Sequence, residues 1–278
     1  MDLADQLFEF HFMQNALLTG TVVAVLAGAV GYFVVLRGQS FAAHTLAQVG
    51  FPGAAAGVLV HASPLAGLLA FCTASALGIA MAGRGFSAGR RSEAAVVGTI
   101  LAFSLGLGLL FFRLYEGSAQ GIYAFLFGTI LGISDAAALT TAAMAAACLV
   151  VLAVIARPLL FASIDPDVAA ARGVPVRALS VAFLVLVALA VAQAVQIVGT
   201  LLIFALLVAP AATALQVTGR PWLGLALSVL LSLVCTWVGL VVAFFTIYPV
   251  GFFITSLAFG AYLAIRLGRG AARRVRPA

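Results

Sequence analysis

The chain is a succession of apolar runs, most of them about 20 residues long, parted by short loops in which the arginines collect. A helix rises about 1.5 Å per residue, so about 20 residues cross the hydrocarbon core of a bilayer. The runs are continuously apolar and do not alternate, which selects membrane helices over a β-barrel. Of the 278 residues 65% are hydrophobic and 8% charged, and mean hydropathy is +1.24. A soluble domain is about a quarter charged. The sequence therefore predicts an all-α polytopic membrane protein.

Charge supplies the topology. The net charge is +6, and all fourteen basic residues are arginines. They lie in inter-helix loops and the C-terminal tail, the pattern of the positive-inside rule and not of a nucleic-acid surface. Without lysine the chain has no Walker A loop, so it is not itself a P-loop ATPase and reads as a non-enzyme. Cys72, Cys148 and Cys235 stand alone inside apolar runs and read as small core residues. Asp2, Asp5 and Glu9 leave the N-terminus without the basic start of a cleavable signal.

In chain order, residues 1–14 read as an extracytoplasmic segment. Spans are predicted over Asn15–Leu36, Ser40–Val60, Pro64–Gly83 and Ala94–Phe112. Gly121–Ser134 is apolar but too short for an ordinary span, and is expected to be an outer-side half-helix covered by protein. Further spans are Ala136–Ala156, Ala178–Val195, Val198–Val217, Trp222–Phe245 and Gly251–Ile265, before a basic tail at 267–278. This makes nine crossings in one transmembrane domain at 15–266, with the N-terminus outside and the C-terminus inside. Thirteen of fourteen arginines are then cytoplasmic, Arg113 being the exception. Gly53-x-x-x-Gly57 and Gly128-x-x-x-Gly132 have the spacing for close helix contact.

Three stretches carry possible chemistry. In the second span, His44 and Gln48 share one helix face, and Pro52 frees the Gln48 carbonyl by lacking an N–H. Such groups are costly at membrane depth unless they face a cavity, a partner or an ion. They either line a conduit or bond to neighbouring helices. The loop at about 165–173 spells a short helix: Asp165 as N-cap, Pro166 at the first position, Asp167 at the positive end, Arg172 at the negative end, and Gly173 with Pro175 as the stop. So short a helix needs support, from its own bundle or from a cytosolic partner. Gln193, Gln196 and the helix-kinking Pro210 form the third, either interface residues or part of a pathway. Asp135 reads as the N-cap of the span it opens.

The order of these features resembles the permease subunit of zinc/manganese-type ATP-binding-cassette importers. The resemblance rests on the stretch at 38–53, Tyr123-x-Phe-Leu-Phe-Gly-x-Ile-Leu, the Asp165-Pro-Asp loop with its Gly173-Val, Gln196-x-Val-Gly-Thr-Leu-Leu, and Pro210-Ala-Ala-Thr-Ala. It implies the importer permease fold of the cobalamin/metal-chelate type and a homodimer in a bacterial cytoplasmic membrane. It also implies a dimer of cytosolic ATPases docked on 165–174, an extracytoplasmic metal-binding protein, and no permanently bound cofactor. Family members commonly carry Asp where this chain has His44 and His where it has Gln48, and often an Asp at the position of Ile247. Imidazole suits zinc while carboxylates suit manganese, so zinc is the expected cargo; the alternatives are a same-fold importer of manganese or a metal chelate, and after these a stand-alone secondary metal carrier.

Overall fold

The computed structural model describes residues 11–82, 90–114, 128 and 132–275, and no strand occurs among them. In chain order the helices are α1 (His11–Leu36), α2 (Ser40–Leu59), α3 (Pro64–Ala82), α4 (Arg90–Leu114) and α5 (Asp135–Ile164). Then come α6 (Pro166–Ala171), α7 (Val176–Val198), α8 (Thr200–Val217), α9 (Pro221–Phe244) and α10 (Val250–Val275). Seven of them, α1, α3, α4, α5, α7, α9 and α10, are long and apolar enough to cross a membrane. The apolar part of α8 is shorter, and His44, Gln48 and Pro52 dilute the apolarity of α2. Length and composition alone thus stop short of the expected nine crossings.

Two helices form the centre. In the most apolar windows of α1 and α7, 72% of residues are buried, against 17–33% for the other five. Helix α1 packs on α5, α7, α8 and α9, while α7 packs on α2, α3 and α5 as well. Polar side chains tie α1 in place: Ser228 donates to the Gly28 carbonyl at 2.8 Å, and Trp237 Nε1 to the Thr21 hydroxyl at 2.8 Å. The three cysteines are buried and free, as expected of core residues.

Helices α2 and α3 meet backbone to backbone. A Cβ on Gly53 would lie 2.7 Å from the Gly67 carbonyl oxygen, and one on Gly67 would lie 2.9 Å from the Gly57 nitrogen. The first small-residue spacing therefore serves the contact that the sequence predicted. Of the second pair, only Gly128 makes a close approach, against the chain at Ile197–Gly199, and Gly132 meets nothing.

Some expected boundaries move. Helix α5 does not stop at Ala156 but runs through Pro158 to Ile164. One missing N–H leaves the remaining ladder intact, and the extra two turns deliver the chain to α6. Helix α10 continues to Val275, so most of the expected basic tail is helical. There Arg266 donates to the Tyr262 hydroxyl at 2.9 Å across one turn. The N-cap of α5 is Ser134, whose hydroxyl accepts from Ala137 N at 3.4 Å, and not Asp135. The Asp135 carboxylate instead accepts from Asn15 Nδ2 at 2.6 Å, which pins α1 to α5. The expected half-helix at 121–134 lies almost wholly outside the described residues, as do residues 1–10 of the expected N-terminal segment.

Candidate functional site

Helix α2 begins immediately after α1, through a turn that the sequence makes rigid. Arg37 caps α1, Gly38 takes φ +70°, and the Gly38 and Gln39 amides bond back to the carbonyls of Val35 and Val34 at 3.0 and 2.9 Å. That pairing needs a left-handed residue, which glycine adopts without a Cβ penalty. Along α2, Phe41, His44, Gln48 and Phe51 follow helical spacing and form one incompletely covered stripe, while Ala43, Leu46, Ala47 and Val49 are buried behind it. Phe41 rests beside Gly98 and Phe51 against Gly108, both on α4. From the opposite side Phe204 of α8 meets the His44 ring edge-on at 4.7 Å. The stripe therefore lies in a groove between α4 and α8.

His44 Nδ1 is buried and has no hydrogen-bond partner among the described residues. A buried polar atom left in this way is costly, and an imidazole nitrogen held so is a ready acceptor for a donor or a ligand for a cation. Among the described residues no group of three or more His, Cys, Asp or Glu side chains converges on one point. One copy of the chain thus offers an imidazole and a carboxamide, short of a full coordination shell.

The predicted loop helix is present as α6. Asp165 Oδ1 accepts from Val168 N at 3.0 Å, Pro166 opens the helix, and Asp167 sits in its first turn. At the other end Arg172 is the C-cap and Gly173 takes φ +82°. Gly173 N bonds to the Ala170 carbonyl at 3.0 Å, and Val174 N to that of Ala169 at 3.0 Å. Both ends are therefore satisfied locally, which lets so short a helix stand. Only Ala169 is buried, at 0% exposure, while Asp165, Pro166, Asp167, Val168 and Arg172 face outward. The support from its own bundle is thus one methyl group, and the outer face is left for something else.

Gln193 and Gln196 meet, but not with His44. They line a cavity of about 190 Å3 together with Thr140, Thr141 and Met144 of α5 and Leu65 of α3. Gln193 is buried; its Nε2 donates to the Thr141 carbonyl at 3.0 Å, and its Oε1 has no partner among the described residues. Val195, about 200° round α7 from Gln193, faces Gly50 of α2. The glutamine cavity is therefore separated from the α2 stripe by the body of α7. Pro210 is buried within α8.

Sequence reasoning missed the guanidinium of Arg37. It donates to Ser180 Oγ of α7 at 2.7 Å and to Ser163 Oγ of α5 at 3.2 Å, and stacks over the Phe183 ring at 5.7 Å. Treating every loop arginine as an orientation signal hid it. Its place at the very last residue of an apolar run, followed by glycine, was the available clue.

The arrangement matches the membrane subunits of ATP-binding-cassette transporters. The chain of the structure "PsaBC from Streptococcus pneumoniae in complex with Fab" superposes with a TM-score of 0.84 and 30% identity, covering 95% of this chain and 94% of that one. A chain described as of the metal-chelate type, facing inward, shares the fold at a TM-score of 0.71 and 17% identity, covering 96% and 90%. The manganese import system permease protein ScaB of Streptococcus parasanguinis is 32% identical over 87% of this chain and 85% of its own length. This chain belongs to the ABC 3 transport family, whose model matches residues 9–268. It is a multi-pass membrane permease.

Proposed function

We propose that the chain is the permease of an importer that carries a divalent metal ion into a bacterial cell across the cytoplasmic membrane, with ATP hydrolysed by a separate pair of cytosolic subunits. The observation that carries the reading is α6, a helix capped at both ends that stands clear of its bundle with its outer face open. Such a helix suits a docking knob for the ATPase. The arginine pattern supports a cytoplasmic placement of the α6 end, and with it nine crossings, the N-terminus outside and the C-terminus inside.

Two copies facing each other across α2 would bring two His44 and two Gln48 side chains together. That provides four donors for a weak, transient site, and a conduit must release what it binds. An extracytoplasmic metal-binding protein would deliver the ion. Manganese is the favoured cargo, since a relative at 32% identity is named as a manganese import permease. The donor set accommodates it, because the Gln48 side-chain oxygen and the carbonyl that Pro52 frees are hard oxygen ligands. What favours zinc instead is His44 with no acid on its helix face.

The test is metal uptake by vesicles holding the permease with its ATPase and binding protein. Asp165→Ala combined with Gly173→Leu removes both caps of α6 and abolishes uptake while membrane insertion stays intact. Unchanged uptake in that variant overturns the docking role. Manganese and zinc uptake measured side by side decides the cargo.

A further inference from the structure

We propose that Arg37 is the positioning residue that carries movement of α6 to the helix bearing His44. The inference rests on α6 being the ATPase-docking helix and on His44 lying on the metal path.

Helix α6 is held between two long helices, α5 before it and α7 after it. Ser163 is two residues upstream of the α6 N-cap, and Ser180 is seven residues downstream of Gly173. The one guanidinium bonds both hydroxyls, so it spans the two legs on which α6 stands. Each serine is itself fixed, its hydroxyl donating to its own helix: Ser163 to the Leu159 carbonyl at 2.5 Å and Ser180 to that of Val176 at 2.8 Å. The Phe183 ring below the guanidinium, edge-on to Phe33 of α1 at 6.3 Å, makes the seat a packed one.

The other end of the link is covalent. Arg37 is the C-cap of α1, and the hydrogen-bonded turn at Gly38–Gln39 leads directly into α2, with Ala43 N bonding to the Gln39 carbonyl at 3.0 Å. His44 follows Arg37 by seven residues, and the part from Ser40 onward is helical, rising about 6 Å. Helix α6 has no such connection through its own packing, since only Ala169 touches the core. A shift of the α5 and α7 ends therefore displaces Arg37, and the turn passes that displacement to the face that holds His44. A planar fork suits this task, because it bonds two hydroxyls at once in fixed directions, which an ammonium cannot do.

The role predicts a loss of coupling and not of hydrolysis. In proteoliposomes containing the full complex, Arg37→Gln and the double variant Ser163→Ala/Ser180→Ala each keep ATP hydrolysis within about twofold of wild type. The metal ions moved per ATP fall about tenfold or more, within the usual span of site-to-site coupling. Arg37→Lys restores less than half of the lost ratio. A residue that only stabilised the fold would lower the amount of active complex and leave the ratio unchanged. A wild-type ratio in the double serine variant, which preserves volume and removes only the two hydroxyls, overturns the proposal. The Asp165→Ala/Gly173→Leu variant, run alongside, tells two failures apart. If it is inactive while the serine variant transports at the normal ratio, only the role of Arg37 fails. If it transports normally, the docking role of α6 fails first.

Discussion

At the scale of single residues, His44 presents a buried ring nitrogen with no partner among the described residues, beside a Phe204 edge that offers only hydrocarbon. If that nitrogen meets the passing ion, His44→Ala lowers metal uptake by about tenfold or more, comparable to losing a supporting group at a metal site, and ATP hydrolysis in the complex persists. Uptake at the wild-type rate removes His44 from the path. Gln193→Leu makes the converse measurement. Its amide serves Thr141 and a cavity on the far side of α7, so this variant leaves uptake within about twofold and lowers the unfolding midpoint, as loss of a buried hydrogen bond at about 1 kcal/mol should. Residue identities were legible where one helix face decides them, as for His44 and Gln48. They were not legible where a partner lies more than a hundred positions away. Asn15 with Asp135 and Arg37 with Ser163 and Ser180 are such pairs, and no local pattern announces them.

At the scale of elements, the caps of α6 were readable because each acts within five residues: Asp165 on Val168, and Gly173 with Val174 on the preceding turn. Local hydrogen bonding is written in local sequence. The length of α5 was not, since Pro158 and Arg157 together look like an end although the helix passes through both. Small residues forecast the α2–α3 contact correctly, and that contact has a sharp steric limit. Gly67→Ala places a methyl group against the Gly53 carbonyl and the Gly57 backbone, neither of which can move aside. The cost is about 1–3 kcal/mol, typical of overpacking, read as a lower unfolding midpoint in detergent. An unchanged midpoint would mean that α2 and α3 slide freely, against the close packing described above.

At the scale of the whole molecule, an all-helical membrane protein was plain from the apolar runs alone, because every backbone group in a bilayer must be bonded within its own segment. Which helices form the centre was not plain, since α1 and α7 are no more apolar than α5 or α9. Burial is set by what surrounds a helix, and hydropathy is blind to that. Along the α2 stripe, aromatic and polar side chains of a largely interior helix stay partly exposed. Two copies facing there predict that Gln48→Cys forms an oxidised dimer twice the 28.4 kDa chain mass in membranes. The native thiols are buried and stay out of the reaction. Monomer alone after oxidation moves the shared face elsewhere.

The central position of α1 also bears on how the protein is made. This helix leaves the ribosome well before α8 and α9, and Gly28 waits for Ser228 and Thr21 for Trp237, two hundred or more positions later. At typical synthesis rates that interval is about 10–40 s. Throughout it, the flank of α1 that ends up against α8 and α9 faces lipid or the insertion machinery. A chain cut short before α8 keeps that flank bare, so a helix that enters the membrane ahead of most of its partners is among the last to have its packing completed.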